Sequence, residues 1–150
     1  MTESGGELHL VFGASGYIGT HLVPKLLAAG KRVRASARNP EVLEGRGWHG
    51  VECVAADALD PASLDRVLTG VEVAYYLVHS MGSGRDFPRL DREGARNFRR
   101  AAERGHKLQR CEGIGRGRLV LNVVRNKRPE VVGRQHLRGA ERLLREGRLS

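Results

Sequence analysis

Aromatic residues are scarce in this 150-residue chain: three Phe, three Tyr and one Trp make up 5% of it, and none follows Phe98. A C-terminal third without aromatic stacking platforms argues against a binder of single-stranded nucleic acid, basic though that third is. The two cysteines, Cys53 and Cys111, stand far apart with no Cys-x-x-Cys partner, so neither a disulfide framework nor a zinc site is indicated. His9, His21, His49, His106 and His136 show no metal-ligand spacing. No apolar run approaches the roughly 20 residues that span a membrane, and residues 1–7 are polar and acidic, unlike a signal peptide. These absences lead us to expect a soluble, cytoplasmic protein that is neither membrane-bound nor metal-dependent.

The length suits one domain over 1–150, able to bury a core but short for a separate substrate-binding domain. Charge divides it unevenly. Residues 1–103 hold 13 basic and 13 acidic side chains, whereas 104–150 hold 13 and 4, so the net charge of +9 lies wholly in the latter. The sign admits nucleic acid as a partner, but a solvated basic face is the reading we adopt.

What the chain does have is glycine in a meaningful place. Gly13, Gly16 and Gly19 fall in the run Leu8-His-Leu-Val-Phe-Gly-Ala-Ser-Gly-Tyr-Ile-Gly19, which opens as an apolar strand and continues as an amphipathic helix. Gly13 suits the tight turn off the strand, Gly16 lets backbone amides approach a phosphate, and Gly19 lets the helix pack close to the sheet. A dinucleotide pyrophosphate would then lie on the unpaired N–H groups of the helix N-terminus. Ile18, Leu22, Leu26 and Ala29 recur at helical spacing behind the turn, and Gly30 stands where the helix should end. Pro24 falls inside that helix and is expected to remove one backbone bond and kink it.

The alternation continues. Strands are expected at 8–12, 32–37, 51–56 and 71–78, the last almost wholly apolar, as a strand covered on both faces should be. A short helical stretch follows Asn39-Pro40, and Asp60-Pro61 reads as an N-cap followed by proline at the first helical position, with Leu64, Val67 and Leu68 facing inward and Gly70 closing that helix. Phe87, Leu90, Gly94, Phe98 and Ala101, spaced 3, 4, 4 and 3 apart, mark a long helix closed by Gly105. The pattern predicts an α/β fold, a doubly wound parallel sheet of Rossmann type with strand order 3-2-1-4-5 and its ligand crevice between strands 1 and 4. The fifth strand is expected over 118–124. A final helix, over about 134–148, would face Leu137, Ala140, Leu143 and Leu144 inward. Residues 105–133 are otherwise irregular; Lys107, Arg110, Arg116 and three glycines between Gly105 and Arg118 form no periodic pattern, and a loop or disordered segment is expected there.

With these pieces in order, residues 8 to about 104 resemble the N-terminal half of the atypical short-chain dehydrogenase/reductase superfamily, in its NmrA-like NAD(P)H-binding branch. The matching runs are Gly13-Ala-Ser-Gly-Tyr-Ile-Gly19, Ser36-Ala-Arg-Asn-Pro40, Ala56-Asp-Ala-Leu-Asp60 and Tyr75-Tyr-Leu-Val-His-Ser-Met81. The resemblance implies an NAD(P)(H) cofactor held on Gly13, Ala14, Ser15, Gly16, Tyr17, Ile18 and Gly19. It places Asp57 near the adenine, counts Ala58 among the cofactor contacts, and sets the loop from Leu77 to Ser80, with Val78 and His79, near the nicotinamide ribose. At the end of strand 2, where an NAD site usually carries an acidic ligand for the ribose 2′-OH, this chain has Ala37 and Arg38. The Arg38 fork suits a 2′-phosphate and Ser36 offers a hydroxyl. NADP(H) is therefore favoured, with NAD(H) as the alternative.

Catalysis is less legible. The Tyr-x-x-x-Lys pair of typical superfamily members, in which lysine lowers the tyrosine pKa so that phenolate acts as base, is missing, since no tyrosine follows Tyr76. His79, at the crevice mouth, is a weak candidate acid. Asp86, Asp91 and Glu93 suit the start of the long helix without a catalytic duty. Three functions stay open: an NADP-dependent oxidoreductase or related sugar-nucleotide-type enzyme, a non-catalytic redox sensor, or a basic nucleic-acid-binding protein. A fourth reading, a truncated or partly out-of-frame product, rests on residues 106–133, where the family has an apolar strand. The shortened sheet stands alone or pairs its exposed edge with a second copy as a homodimer.

Overall fold

The computed structural model describes residues 6–78, 86–105, 108–114 and 121–126. A β-strand, β1 (Leu8–Phe12), leads through the glycine turn into helix α1 (Tyr17–Ala28), followed by β2 (Arg32–Ala37), the one-turn α2 (Glu41–Glu44), β3 (Glu52–Ala55), α3 (Pro61–Leu68), β4 (Val73–Tyr76) and the long α4 (Phe87–Gly105). Strands β1 to β4 form the expected parallel sheet in the order 3-2-1-4, with β1 between β2 and β4.

Local chemistry explains most boundaries. Asp60 caps α3, its carboxylate accepting from the Ala62 amide at 3.2 Å, and Pro61 opens the helix where its missing N–H costs nothing. At the end of α1 the Gly30 amide donates to the Leu27 carbonyl and the Lys31 amide to that of Leu26, both at 3.0 Å. That pair closes the helix as a Schellman motif. Pro24 lies within α1 on its exposed side, so the lost backbone bond faces solvent and the helix continues past it. Arg34 on β2 gathers the C-terminal end of α3, donating to the carbonyls of Val67 and Thr69 at 2.7 Å each, and pairs with Glu52 of β3 at 2.8 Å.

Alternation along β1 sends side chains to two cores. Leu10 and Phe12 join Leu64, Leu68 and Phe98 beneath α3 and α4. Val11 joins Leu22, Leu26, Val33 and Leu43 beneath α1 and α2. The sheet thus has helices on both faces, the condition under which parallel strands read as near-continuous apolar runs.

Beyond α4 the structure corrects the sequence reading. The stretch expected as a loop contains a strand, β5 (Leu108–Ile114), and the fifth strand expected at 118–124 is instead β6 (Leu121–Asn126), running antiparallel to both β4 and β5. The full order is β3-β2-β1-β4-β6-β5, so β6 lies between β4 and a β5 that runs parallel to β4. The reason is connection length: only residues 115–120 join β5 to β6, enough for a hairpin, whereas a parallel pair needs a crossover of about a dozen residues or more. Edge strand β5 carries Gln, Arg and Glu among its apolar residues, which hid it from a search for apolar periodicity. The expected final helix over 134–148 lies outside the described residues, as does His79.

Candidate dinucleotide site

The β1–α1 turn is built by backbone bonds. Gly13 takes a positive φ of 86°, and the Gly13 and Ala14 amides both donate to the Ser36 carbonyl, at 3.0 and 2.9 Å. A Cβ on Gly13 would also meet the Val78 amide nitrogen at 3.0 Å and the Leu77 carbonyl carbon at 3.1 Å, where β4 ends against the turn. The Leu77 amide in turn donates to the Phe12 carbonyl at 2.8 Å. Gly19 serves contact alone: a Cβ there would lie 2.5 Å from Ala14 Cα. Gly16, the α1 N-cap, is different. A Cβ added to it would find only the Gly13 carbonyl oxygen, at 3.8 Å, with no other atom nearby.

That space is a cleft of about 450 Å³ above the C-terminal ends of the parallel strands, within the size range of ligand pockets. Gly13, Ser15 and Gly16 form its floor at the turn, Arg38 and Asp57 its β2 and β3 side, and Leu77 and Val78 its β4 side. Ala58 lines it as well. Helix α1 points its N-terminus here with no side-chain cap and no acidic residue in its first turn. Free amides and the positive dipole end are thereby left for an external anion.

The remaining expected residues take other places. Ala14 and Gly19 are buried supports of the turn, and Ile18 is half-buried in α1. Tyr17 is 61% exposed and packs against His21, whose ring centroid is 4.6 Å away. Ser36 is fully buried; it holds the turn with its carbonyl, and its hydroxyl finds no partner and does not line the cleft.

The Asp57 loop is staked from two helices. The Asp57 carboxylate accepts from the Leu59 amide at 2.9 Å, the Asp57 amide donates to the Ser63 hydroxyl at 3.0 Å, and Asn97 of α4 donates to the Ala58 carbonyl at 3.1 Å. Sequence reasoning missed Asn97, and it missed Arg46, whose guanidinium donates to the Ser15 carbonyl at 3.3 Å and so holds the turn from the loop after α2. It also missed Leu90, Asp91 and Gly94 of α4 and Tyr76 of β4, which line the same cleft. The signal for the α4 group was the 3–4 spacing of Leu90 and Gly94, already read as an inward face. Nothing local announced Arg46.

A parallel sheet in the order 3-2-1-4, with an uncapped helix N-terminus behind a glycine turn at its centre, defines a dinucleotide-binding protein of Rossmann type. The model of the NAD(P)H-binding family matches residues 13–114. The chain belongs to this family, in an atypical form like that of the short-chain dehydrogenase/reductase class. It is 33% identical over 103 residues to cinnamoyl-CoA reductase 1 of Oryza sativa subsp. japonica, covering 64% of this chain and 30% of that protein. It is 43% identical over 70 residues to (4-alkanoyl-5-oxo-2,5-dihydrofuran-3-yl)methyl phosphate reductase of Streptomyces griseus, covering 47% and 24% respectively. A short-chain dehydrogenase/reductase superfamily protein from Agrobacterium tumefaciens, solved with bound NAD, superposes with a TM-score of 0.52 at 26% identity, over 65% of this chain and 28% of that one. The chain thus spans less than a third of the length of these relatives. Among the described residues no helix is long and apolar enough to cross a membrane, and no cluster of His, Cys, Asp or Glu could hold a metal ion.

Proposed function

We propose that the cleft binds NADP(H) in preference to NAD(H), as the cofactor-binding part of an oxidoreductase. The observation that carries this reading is the end of β2, where Arg38 lines the cleft and no carboxylate stands to accept from a ribose 2′-OH. Arg46, bonded to the Ser15 carbonyl, adds a second guanidinium at the glycine turn. A planar guanidinium fork is a better match for a 2′-phosphate than for a hydroxyl. The buried Ser36 hydroxyl takes no part. The pyrophosphate is assigned to the α1 N-terminus above Gly16, and Asp57, with one carboxylate oxygen already held by Leu59, presents the other to the adenine. The cofactor, once bound, would supply hydride, and this chain's residues hold and orient it.

An oxidoreductase role is supported by the two curated relatives, both of which are called reductases. The reading includes a cytoplasmic setting, with Cys53 and Cys111 reduced, and leaves the substrate to be found by assay. Titration of the purified chain with NADPH and NADH, followed by calorimetry, tests it. NADPH should bind about tenfold tighter or more, the scale of a charge-assisted contact of roughly 1.5–3 kcal/mol. Equal affinities refute the preference, and binding of neither refutes the assignment of the site.

A further inference from the structure

The peptide unit between Ala58 and Leu59 has a partner at each end. Its carbonyl accepts from the side-chain amide of Asn97 on α4 at 3.1 Å, and its N–H donates to the Asp57 carboxylate at 2.9 Å. The C=O and N–H of a trans peptide point in opposite directions. Fixing the carbonyl toward α4 therefore fixes the N–H away from it, and with it the direction from which the Asp57 oxygen is held. Bonds in such a series also polarise one another. Other restraints on the loop are local: the Ser63 hydroxyl accepts from the Asp57 amide, and the Asp60 amide donates to the Asp57 carbonyl, both at 3.0 Å. Among the described residues, the Asn97 bond alone reaches residues 57–60 from beyond α3. Helix α4 is shaped for this tie. Gly94, one turn before Asn97, meets Ala58 from the same helix face, where a Cβ on it would lie 2.9 Å from the Ala58 Cβ. The missing side chain lets α4 approach closely enough for a short amide to span the gap. Asn97 does not itself line the cleft, whereas Asp57 and Ala58 do, so its effect on a ligand passes through the loop.

We propose that Asn97 is a positioning residue for recognition of the adenine base, setting the Asp57 carboxylate through the Ala58–Leu59 peptide. The inference rests on the binding reading above, in which Asp57 faces the base, and adds the residue that aims it. A carboxylate only accepts hydrogen bonds, so in that place it selects a base carrying an exocyclic amine over one carrying a carbonyl oxygen at the same position. Selection of this kind depends on the carboxylate being held in one direction before the ligand arrives. Without the Asn97 donor the peptide can turn, the Leu59 N–H leaves its place beside Asp57, and the selection weakens.

The test compares NADPH with its hypoxanthine analogue, in which oxygen replaces the exocyclic amine, by calorimetry on the parent, Asn97→Ala and Asn97→Asp. The aspartate keeps the shape of the side chain and loses the donor, and thermal unfolding of each ligand-free chain reads stability separately. The parent should prefer NADPH by about tenfold or more, the scale of a hydrogen bond to a charged group. Both variants should weaken NADPH about three- to tenfold and the analogue by less than about twofold, the scale of a neutral hydrogen bond acting on one ligand only. In an Asp57→Ala background, where no carboxylate remains to be aimed, Asn97→Ala should change NADPH affinity by less than about twofold. Undiminished discrimination in the Asn97 variants overturns the proposal. So do equal losses for both ligands, which mark a general loosening of the loop, and full additivity with Asp57→Ala. If the parent does not discriminate between the two bases, the assignment of Asp57 falls and this inference with it; if the parent discriminates and the Asn97 variants do so equally, only this inference falls.

Discussion

Gly19→Ala isolates close packing from ligand binding. The added methyl carbon would lie 2.5 Å from Ala14 Cα, 2.6 Å from its carbonyl oxygen and 2.8 Å from its carbonyl carbon, about 1 Å inside the usual carbon contact distance of roughly 3.5–4.0 Å. All three atoms are backbone. The turn cannot retreat, because the Ala14 amide is bonded to the Ser36 carbonyl at 2.9 Å and Ala14 is fully buried. Overpacking of this kind costs about 1–3 kcal/mol, and rigid neighbours put it at the upper end. Alanine in a helix recovers up to about 1 kcal/mol relative to glycine, so a net loss of about 2 kcal/mol should remain. For a chain of this size that lowers Tm by about 4–8 °C, measurable by circular dichroism without ligand. Gly16→Ser is the contrasting variant. Its Cβ enters open space, and its hydroxyl can cap α1. Stability should hold or rise while NADPH affinity falls, because the serine takes the amides assigned to phosphate. A Gly19→Ala protein that melts within about 1 °C of the parent would refute the packing argument.

Arg38→Ala should weaken NADPH roughly tenfold, by loss of a charge-assisted contact, while changing NADH by less than about twofold; equal losses for both cofactors would place this cation elsewhere. Asp60→Ala removes the α3 N-cap and should cost about 1 kcal/mol, read as a fall of about 2–4 °C in Tm. Burial alone would raise the Glu7 carboxyl, but its bond to His9 at 3.0 Å and the charges of His9 and Lys31 outweigh that and hold it below its ordinary value of 4.5. A depressed carboxyl pKa contributes stability that is present above pH 4.5 and lost as pH falls through the folded value. Glu7→Gln should therefore be less stable than the parent near neutrality and converge with it in acid, as urea unfolding across pH would show; a constant gap down to the most acid pH would refute the ion-pair account.

Much of the cofactor half was determined by the sequence alone. The glycine turn, the Asp60-Pro61 helix start, the Gly30 stop and the order of the four parallel strands all follow from short-range rules, in which a residue's own conformational limits or its immediate neighbours dictate the backbone. Tertiary structure decided the rest. Whether Arg46 reaches Ser15, 31 residues away, depends on how the loop after α2 folds back. The Ser36 hydroxyl looked like a ligand from its place at the strand end, yet the pleat turned it into the core. The bond from Asn97 to Ala58, 39 residues away, exists only because Gly94 lets α4 approach the loop. Past α4, the antiparallel pairing of β6 with β5 was settled by the short connection between them rather than by any run of apolar residues. A strand's partner is set by backbone bonds between distant segments, and those bonds are the same whatever side chains the segments carry.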